Sequence, residues 1–292
     1  MGKFESGVPA CPVACSYCFI TEHDARREVW NQNSVAGINK ACTFVNVTPW
    51  IDSDPLERER FSSFPWEVLK GDFVGFTAIT DPFFPKIERY LWDWVERATA
   101  VAKLTTCVTK WPVDRRVMER LSQIPNFYLV IGITGNETLE RVSTKKHLET
   151  LALAKELGVR ALPIAHPYIA GVSNLDFLPA IKDLGYDYFD VKGLRYCEAT
   201  MGHWMPDTSK PFYQGREEDE ILPEDGWRQM VADAGLQLLS PREWYRREGL
   251  KLSPNLVRSE AEELVKQVFA LANVVSSDSN SEVFKAAVER RL

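Results

Sequence analysis

Phe127-Tyr128-Leu129-Val130-Ile131-Gly132-Ile133-Thr134 is a run of mostly apolar, β-prone residues. A polar loop follows it, then a helical pattern from Lys146 to Leu157 that stops at Gly158, then a second apolar run from Arg160 to Ala165. Strand, helix, strand in that order is the signature of a parallel βαβ unit. The same alternation continues on both sides. Upstream, Phe73–Thr80 reads as a buried strand bounded by Gly71 and by Asp81-Pro82. Ile87–Ala102 reads as a helix with Leu91, Trp94, Val95 and Ala98 on one face, Leu104–Thr109 as a strand, and Val113–Gln123 as a helix. Downstream, Asn174–Leu184 is a helix stopped by Gly185, and Tyr188–Lys192 is the last clear strand.

Nearer the start, Thr43–Val47 is a short β-rich run, and Asp54–Leu69 suits a helix broken at Pro65. The pattern predicts an α/β fold, a partial (β/α)6 barrel of parallel strands spanning residues 1–198. Its ligands should gather at the carboxyl ends of the strands. Residues 199–292 read as a helical and irregular C-terminal extension, with helices at 259–273 and 281–291, that closes or covers the barrel mouth.

The 292 residues are 45% apolar and carry a formal net charge of −6. That composition is globular rather than disordered. The acidic balance argues against duplex nucleic acid, whose binding draws on a basic surface. The first ten residues contain Lys3 and Glu5 but no apolar run, and no stretch approaches the roughly eighteen apolar residues of a membrane span. The expectation is a cytoplasmic protein without a leader.

Cys11-Pro12-Val13-Ala14-Cys15-Ser16-Tyr17-Cys18 places three cysteines at a C-x3-C-x2-C spacing. Three thiolates do not complete the four-ligand shell of a closed zinc site. They can hold three irons of a [4Fe-4S] cluster and leave the fourth open to a small chelator. A zinc knuckle completed by His23 is the competing reading. A disulfide framework is the weakest, because six cysteines in a chain of this length are few.

C-x3-C-x-aromatic-C resembles the signature of the radical S-adenosylmethionine (radical SAM) superfamily. Further segments resemble its spore photoproduct lyase-like branch: Phe76–Pro82, ending in Thr-Asp-Pro; Cys107–Lys110; Ile131–Thr134 with His147-Leu148-Glu149; and Leu162–Pro167 followed by Gly171. The likeness covers residues 11–192. It implies that Cys11, Cys15 and Cys18 bind a [4Fe-4S] cluster whose open iron is chelated by SAM. An external electron donor of flavodoxin or ferredoxin type would drive SAM cleavage to a 5′-deoxyadenosyl radical, which abstracts hydrogen from a substrate.

The resemblance also implies cofactor contacts. Lys110 would meet the SAM carboxylate, Thr80 the ammonium, Thr134 the ribose, Tyr17 the adenine, and backbone groups at Ala165 and His166 the adenine again. His147 stands where relatives carry arginine, and either touches SAM or fills a helix position. Asp81 before Pro82 reads as a helix N-cap. One departure from the branch is Ala78, at the position of its hydrogen-donor cysteine, which argues against thymine photoproduct repair. Cys197, just past the last strand, is a candidate hydrogen donor in its place. Cys42 has no partner motif, and Cys107 is an ordinary strand cysteine or a barrel-interior one.

Asp190 and Lys192, two apart on one strand, share a side. With His203 and His166 they are candidate substrate contacts. The favoured substrate is a small molecule or a single modified residue. The alternatives are a nucleic-acid lyase or repair enzyme, and a non-catalytic zinc- or cluster-binding module.

Overall fold

The structure is a computed structural model. It describes residues 13, 15, 17, 37–39, 44–47, 73–76, 81–195, 212–214, 220–223 and 225–248. Cys11, Cys18, His23, Cys42, Ala78, Thr80, Cys197 and His203 lie outside the described residues, as do the helices expected at 54–69, 259–273 and 281–291. The chain divides into two compact units, one of Met1–Pro12, His23–Cys107 and Gly249–Leu292, the other of Val13–Glu22 and Val108–Glu248.

In the first unit, β1 (Gly37–Asn39) pairs antiparallel with β2 (Phe44–Val47). Strand β2 runs parallel to β3 (Phe73–Phe76), and β3 parallel to β4 (Leu104–Thr109) through Leu104–Cys107. Helix α1 (Pro85–Val101) is the crossover between β3 and β4, burying Leu91, Trp92, Val95 and Ala98. It starts later than an N-cap at Asp81 would require. Pro85 takes the first helical turn with Phe84 as N-cap, while Asp81 closes the turn ahead of it by accepting from Phe83 N–H at 3.1 Å. Two prolines three residues apart both suit a helix start, and the second one wins.

The second unit holds α2 (Arg115–Ser122), β5 (Phe127–Gly132), α3 (Thr144–Glu156), β6 (Arg160–Tyr168), α4 (Leu178–Asp183) and β7 (Tyr188–Arg195). Strands β5, β6 and β7 form a parallel ladder. The fold is therefore α/β as the alternation predicts, with parallel triplets β2–β4 and β5–β7 and helices between strands. Every residue of β5 is buried, as expected of a parallel strand covered on both faces. Helix α2 is capped by Asp114, which accepts from Val117 N–H at 2.8 Å. Helix α3 buries His147, Thr150, Leu151 and Ala154, one stripe at helical spacing.

Gly158 ends α3 at φ +70°: its N–H meets the Lys155 carbonyl at 3.3 Å and Val159 N–H meets that of Ala154 at 2.9 Å. This is a Schellman stop, and Gly185 repeats it after α4.

The strand pattern does not end at Lys192. Strand β7 runs on to Arg195 and pairs antiparallel with β9 (Glu220–Pro223), which pairs with β8 (Phe212–Gln214). Helix α5 (Trp227–Asp233) returns the chain to β10 (Gln237–Leu238), parallel to the start of β7. Helix α6 (Pro241–Arg247), closed by a Ser240–Glu243 capping box, packs Trp244 and Tyr245 edge-on to Tyr128 at 5.2 and 5.6 Å. Among the described residues, no helix is long and apolar enough to cross a membrane.

Candidate active site

The site candidates of the second unit sit where strands end. Lys110 follows β4, Thr134 comes two residues after β5, and Ala165 and His166 lie late in β6. Ile133 N–H bonds the Ile164 carbonyl at 2.7 Å, which sets Thr134 beside Ala165 of β6. Lys110 reaches this edge because Gly132 has no side chain. A Cβ there would lie 2.7 Å from Lys110 Cγ and 3.0 Å from Cε, so the lysine stem occupies the space a larger residue would fill.

The head of that lysine does not point to solvent. Its Nζ lies 2.6 Å from Glu140 Oε1, with the lysine side chain 14% and the glutamate 2% exposed. Lys110 also donates to the Tyr17 hydroxyl, which in turn donates to Glu140 Oε1. Thr134 Oγ1 donates to the same oxygen at 2.7 Å. Three residues singled out by the sequence, from a cysteine loop and two strand ends, thus converge on one carboxylate. Burial pushes the Glu140 carboxyl up to about 8, against the pull of the Lys110 ammonium, which favours its charged form.

Glu140 carries no motif and was not legible as a site residue. Its position is built by a single turn after β5, in which the Asn136 carbonyl accepts from Leu139 N–H at 2.9 Å and Glu140 N–H at 3.0 Å. Asn136 is the second residue that sequence reasoning missed. Its N–H bonds Thr134 Oγ1 at 3.3 Å, while its side-chain amide is buried with oxygen and nitrogen both unpartnered among the described residues. An orphaned buried amide costs about 1–3 kcal/mol.

His147 is turned away from open space. Its Nε2–H donates to the Lys110 carbonyl at 2.9 Å, fixing both the tautomer and the strand end that presents Lys110. Burial holds its imidazole down to about 4, so the ring is neutral. From its place in α3, this side chain steadies the backbone that presents Lys110.

His166 and Asp190 form a separate pair, with Nε2–H donating to Asp190 Oδ2 at 2.9 Å. The aspartate is 1% exposed and the imidazole 23%. Strand alternation placed Asp190 beside Lys192. The register aligns Asp190 with Ile164, and β6 and β7 are irregular between Ala165 and Tyr168, where His166 meets Asp190. Lys192 is half-buried. In the first unit, Cys107 is buried, and desolvation together with the Asp81 carboxylate pushes its thiol up, leaving it a protonated, small apolar side chain. In the cysteine loop, Cys15 is buried, as is Tyr17 two residues on.

No family model matches the chain, and no curated protein matches it significantly. Among solved structures it is similar to spore photoproduct lyase complexed with dinucleoside spore photoproduct, at 13% identity and a TM-score of 0.45, over 84% of this chain and 76% of that one. It is also similar to SuiB of Streptococcus suis, at 12% and 0.42, over 78% of this chain and 46% of that one, so the chain spans less than half of SuiB. HydG, a maturase of the [FeFe]-hydrogenase, matches at 9% and 0.40, over 82% and 71%. At these identities and TM-scores, the chemistry rests on the residues of the site.

Proposed function

We propose that this chain is a cytoplasmic radical SAM enzyme acting on a small molecule or a single modified residue, with a flavodoxin- or ferredoxin-type electron donor. The observation that carries this reading is the convergence of Tyr17, from inside the three-cysteine loop, with Lys110 and Thr134 at two strand ends. A cysteine loop and a strand-end cation meeting in one place is what a cluster-bound amino acid derivative requires. Cys11, Cys15 and Cys18 would hold a [4Fe-4S] cluster. When bound, cluster and SAM supply a reducing electron and a 5′-deoxyadenosyl radical for hydrogen abstraction.

The chain's own residues do the rest. Lys110 offers a cation of low exposure to a carboxylate, and Thr134 a hydroxyl to a polar group of the nucleoside. Tyr17 offers a ring face to the adenine, and backbone groups at Ala165 and His166 meet it at the next strand end. Thr80 takes the ammonium. The orphaned Asn136 amide fits such a ligand, since it has no partner among the described residues and can both donate and accept. The His166–Asp190 pair, with Lys192 and His203, supplies polar contacts to the substrate, and Cys197 the hydrogen returned to a product radical.

The test is anaerobic reconstitution with iron and sulfide, then SAM and dithionite, with 5′-deoxyadenosine and methionine as readouts. Wild type forms both products, and Cys15→Ala loses the cluster and both products to background. A wild-type protein that binds zinc without iron and cleaves no SAM overturns the reading. A second prediction isolates Asn136. Removing an unsatisfied buried amide relieves its cost, so Asn136→Leu does not lower the melting temperature. SAM affinity falls about tenfold, as the loss of one hydrogen-bonding group implies. Equilibrium dialysis with labelled SAM checks it.

A further inference from the structure

Glu140 is tied to the cysteine loop more closely than any role in holding a ligand requires. Its Oε1 accepts from Tyr17, Lys110 and Thr134, which are 123, 30 and 6 residues away along the chain. The next residue makes a second tether, with Arg141 N–H donating to the Val13 carbonyl at 3.4 Å. The two contacts grip the loop on either side of Cys15. Both come from a short loop whose own shape is set by the turn Asn136–Glu140 and by Glu137, which accepts from Thr144 N–H at 3.1 Å at the start of α3.

Three thiolates that must converge on one cluster cannot do so from a wandering loop without cost. Ordering the backbone costs about 1–2 kcal/mol per residue. Metal affinity is lowered by whatever ordering is still to be done when the metal arrives. A charge-assisted hydrogen bond is worth more than a neutral one. A buried carboxyl oxygen that accepts from three donors, one of them the Lys110 ammonium, is therefore a strong fixed point.

We infer that Glu140 is a positioning residue for the cysteine loop: it holds Tyr17, and through it the neighbouring thiols, in place before any cluster is present. The inference rests on the cluster reading above, yet one arm of its test does not. Local hydrogen exchange is measured on the cluster-free protein for wild type, Glu140→Ala, Glu140→Gln and Tyr17→Phe. Iron retention against a chelator is then followed by visible absorbance on the reconstituted proteins.

Exchange across residues 13–18 is expected to rise about tenfold in Glu140→Ala, the scale of one lost charge-assisted bond. The rise is smaller in Glu140→Gln, whose amide oxygen still accepts, and smaller again in Tyr17→Phe, which loses a single hydroxyl. Reconstituted Glu140→Ala loses iron several-fold faster than wild type, in the same order across the variants. Exchange of β5 and α3 stays at the wild-type rate.

Unchanged exchange at residues 13–18 in Glu140→Ala overturns the inference, whatever the iron content. So does a rise spread evenly over the chain, which would mark Glu140 as a general stability residue. If loop exchange rises as expected and wild type binds no iron, the positioning role stands and the enzyme reading falls.

Discussion

Gly135→Ala lowers the melting temperature by about 10 °C, whereas Gly158→Ala lowers it by about 3 °C. The two glycines share a left-handed backbone, φ +67° and φ +70°. Any L side chain pays about 1–2 kcal/mol there. What separates them is space. A Cβ at Gly158 meets nothing within 4 Å. At Gly135 it would lie 1.8 Å from the Asn174 carbonyl oxygen and 2.7 Å from its carbon, both backbone atoms that cannot swing aside. The two loops must part, which breaks the Asn174 N–H to Gly135 carbonyl bond of 3.4 Å.

Together these costs come to about 3–4 kcal/mol, and each kcal/mol moves the midpoint of a chain this size by about 2–4 °C. Thermal circular dichroism of both variants separates the shared backbone cost from the close approach. The functional consequence follows from position. Gly135 lies between Thr134 and Asn136, so a displaced loop also pulls Thr134 from Glu140.

The second large effect is on stability against pH. The Glu140 carboxyl is raised by burial from 4.5 to about 8. Between those values the folded protein keeps a proton that the unfolded chain has lost. Its contribution is therefore complete below 4.5 and is lost as pH rises through 8. His147 is the reverse case, lowered by burial from 6.5 to about 4. Its contribution is present above 6.5 and is lost as pH falls through 4.

Between 4.5 and 6.5 the two slopes oppose, and the wild-type profile is flat. Between 6.5 and 8 only Glu140 acts, and stability falls by at most about 1.4 kcal/mol per pH unit. The Lys110 ammonium, which favours the ionised glutamate, keeps the slope below that limit. Urea midpoints at pH 5, 6, 7 and 8 should show the decline in wild type and its absence in Glu140→Gln. In His147→Asn the decline should begin near 4.5. A wild-type profile that rises from 6.5 to 8 would exclude a protonated Glu140.

What the sequence exposes and what it hides follows from the range of each interaction. Strand β5 and helix α3 are legible because their apolar residues repeat locally, and Gly158 and Gly185 mark the stops of α3 and α4 for reasons contained in one turn of chain. Lys110 and Thr134 are legible because a strand end is a place that can be counted to. Glu140 is not, since it occupies an unremarkable polar loop and its partners lie at residues 17 and 110. The His166–Asp190 pair is hidden for a related reason. It depends on an irregularity between two strands, which strict alternation does not foresee. The strands after Lys192 escape because β8, β9 and β10 have three, four and two residues, too few to show a period.

The lysine lying across Gly132 binds two positions into a shared evolutionary history. A lineage that gains a side chain at 132 must move, shorten or surrender the cation at 110, because both cannot occupy the same few ångströms. Substitutions at the two positions should therefore travel together among related chains. Where Gly132 is lost and the lysine stays, a compensating change should be found in the backbone of β4 or β5.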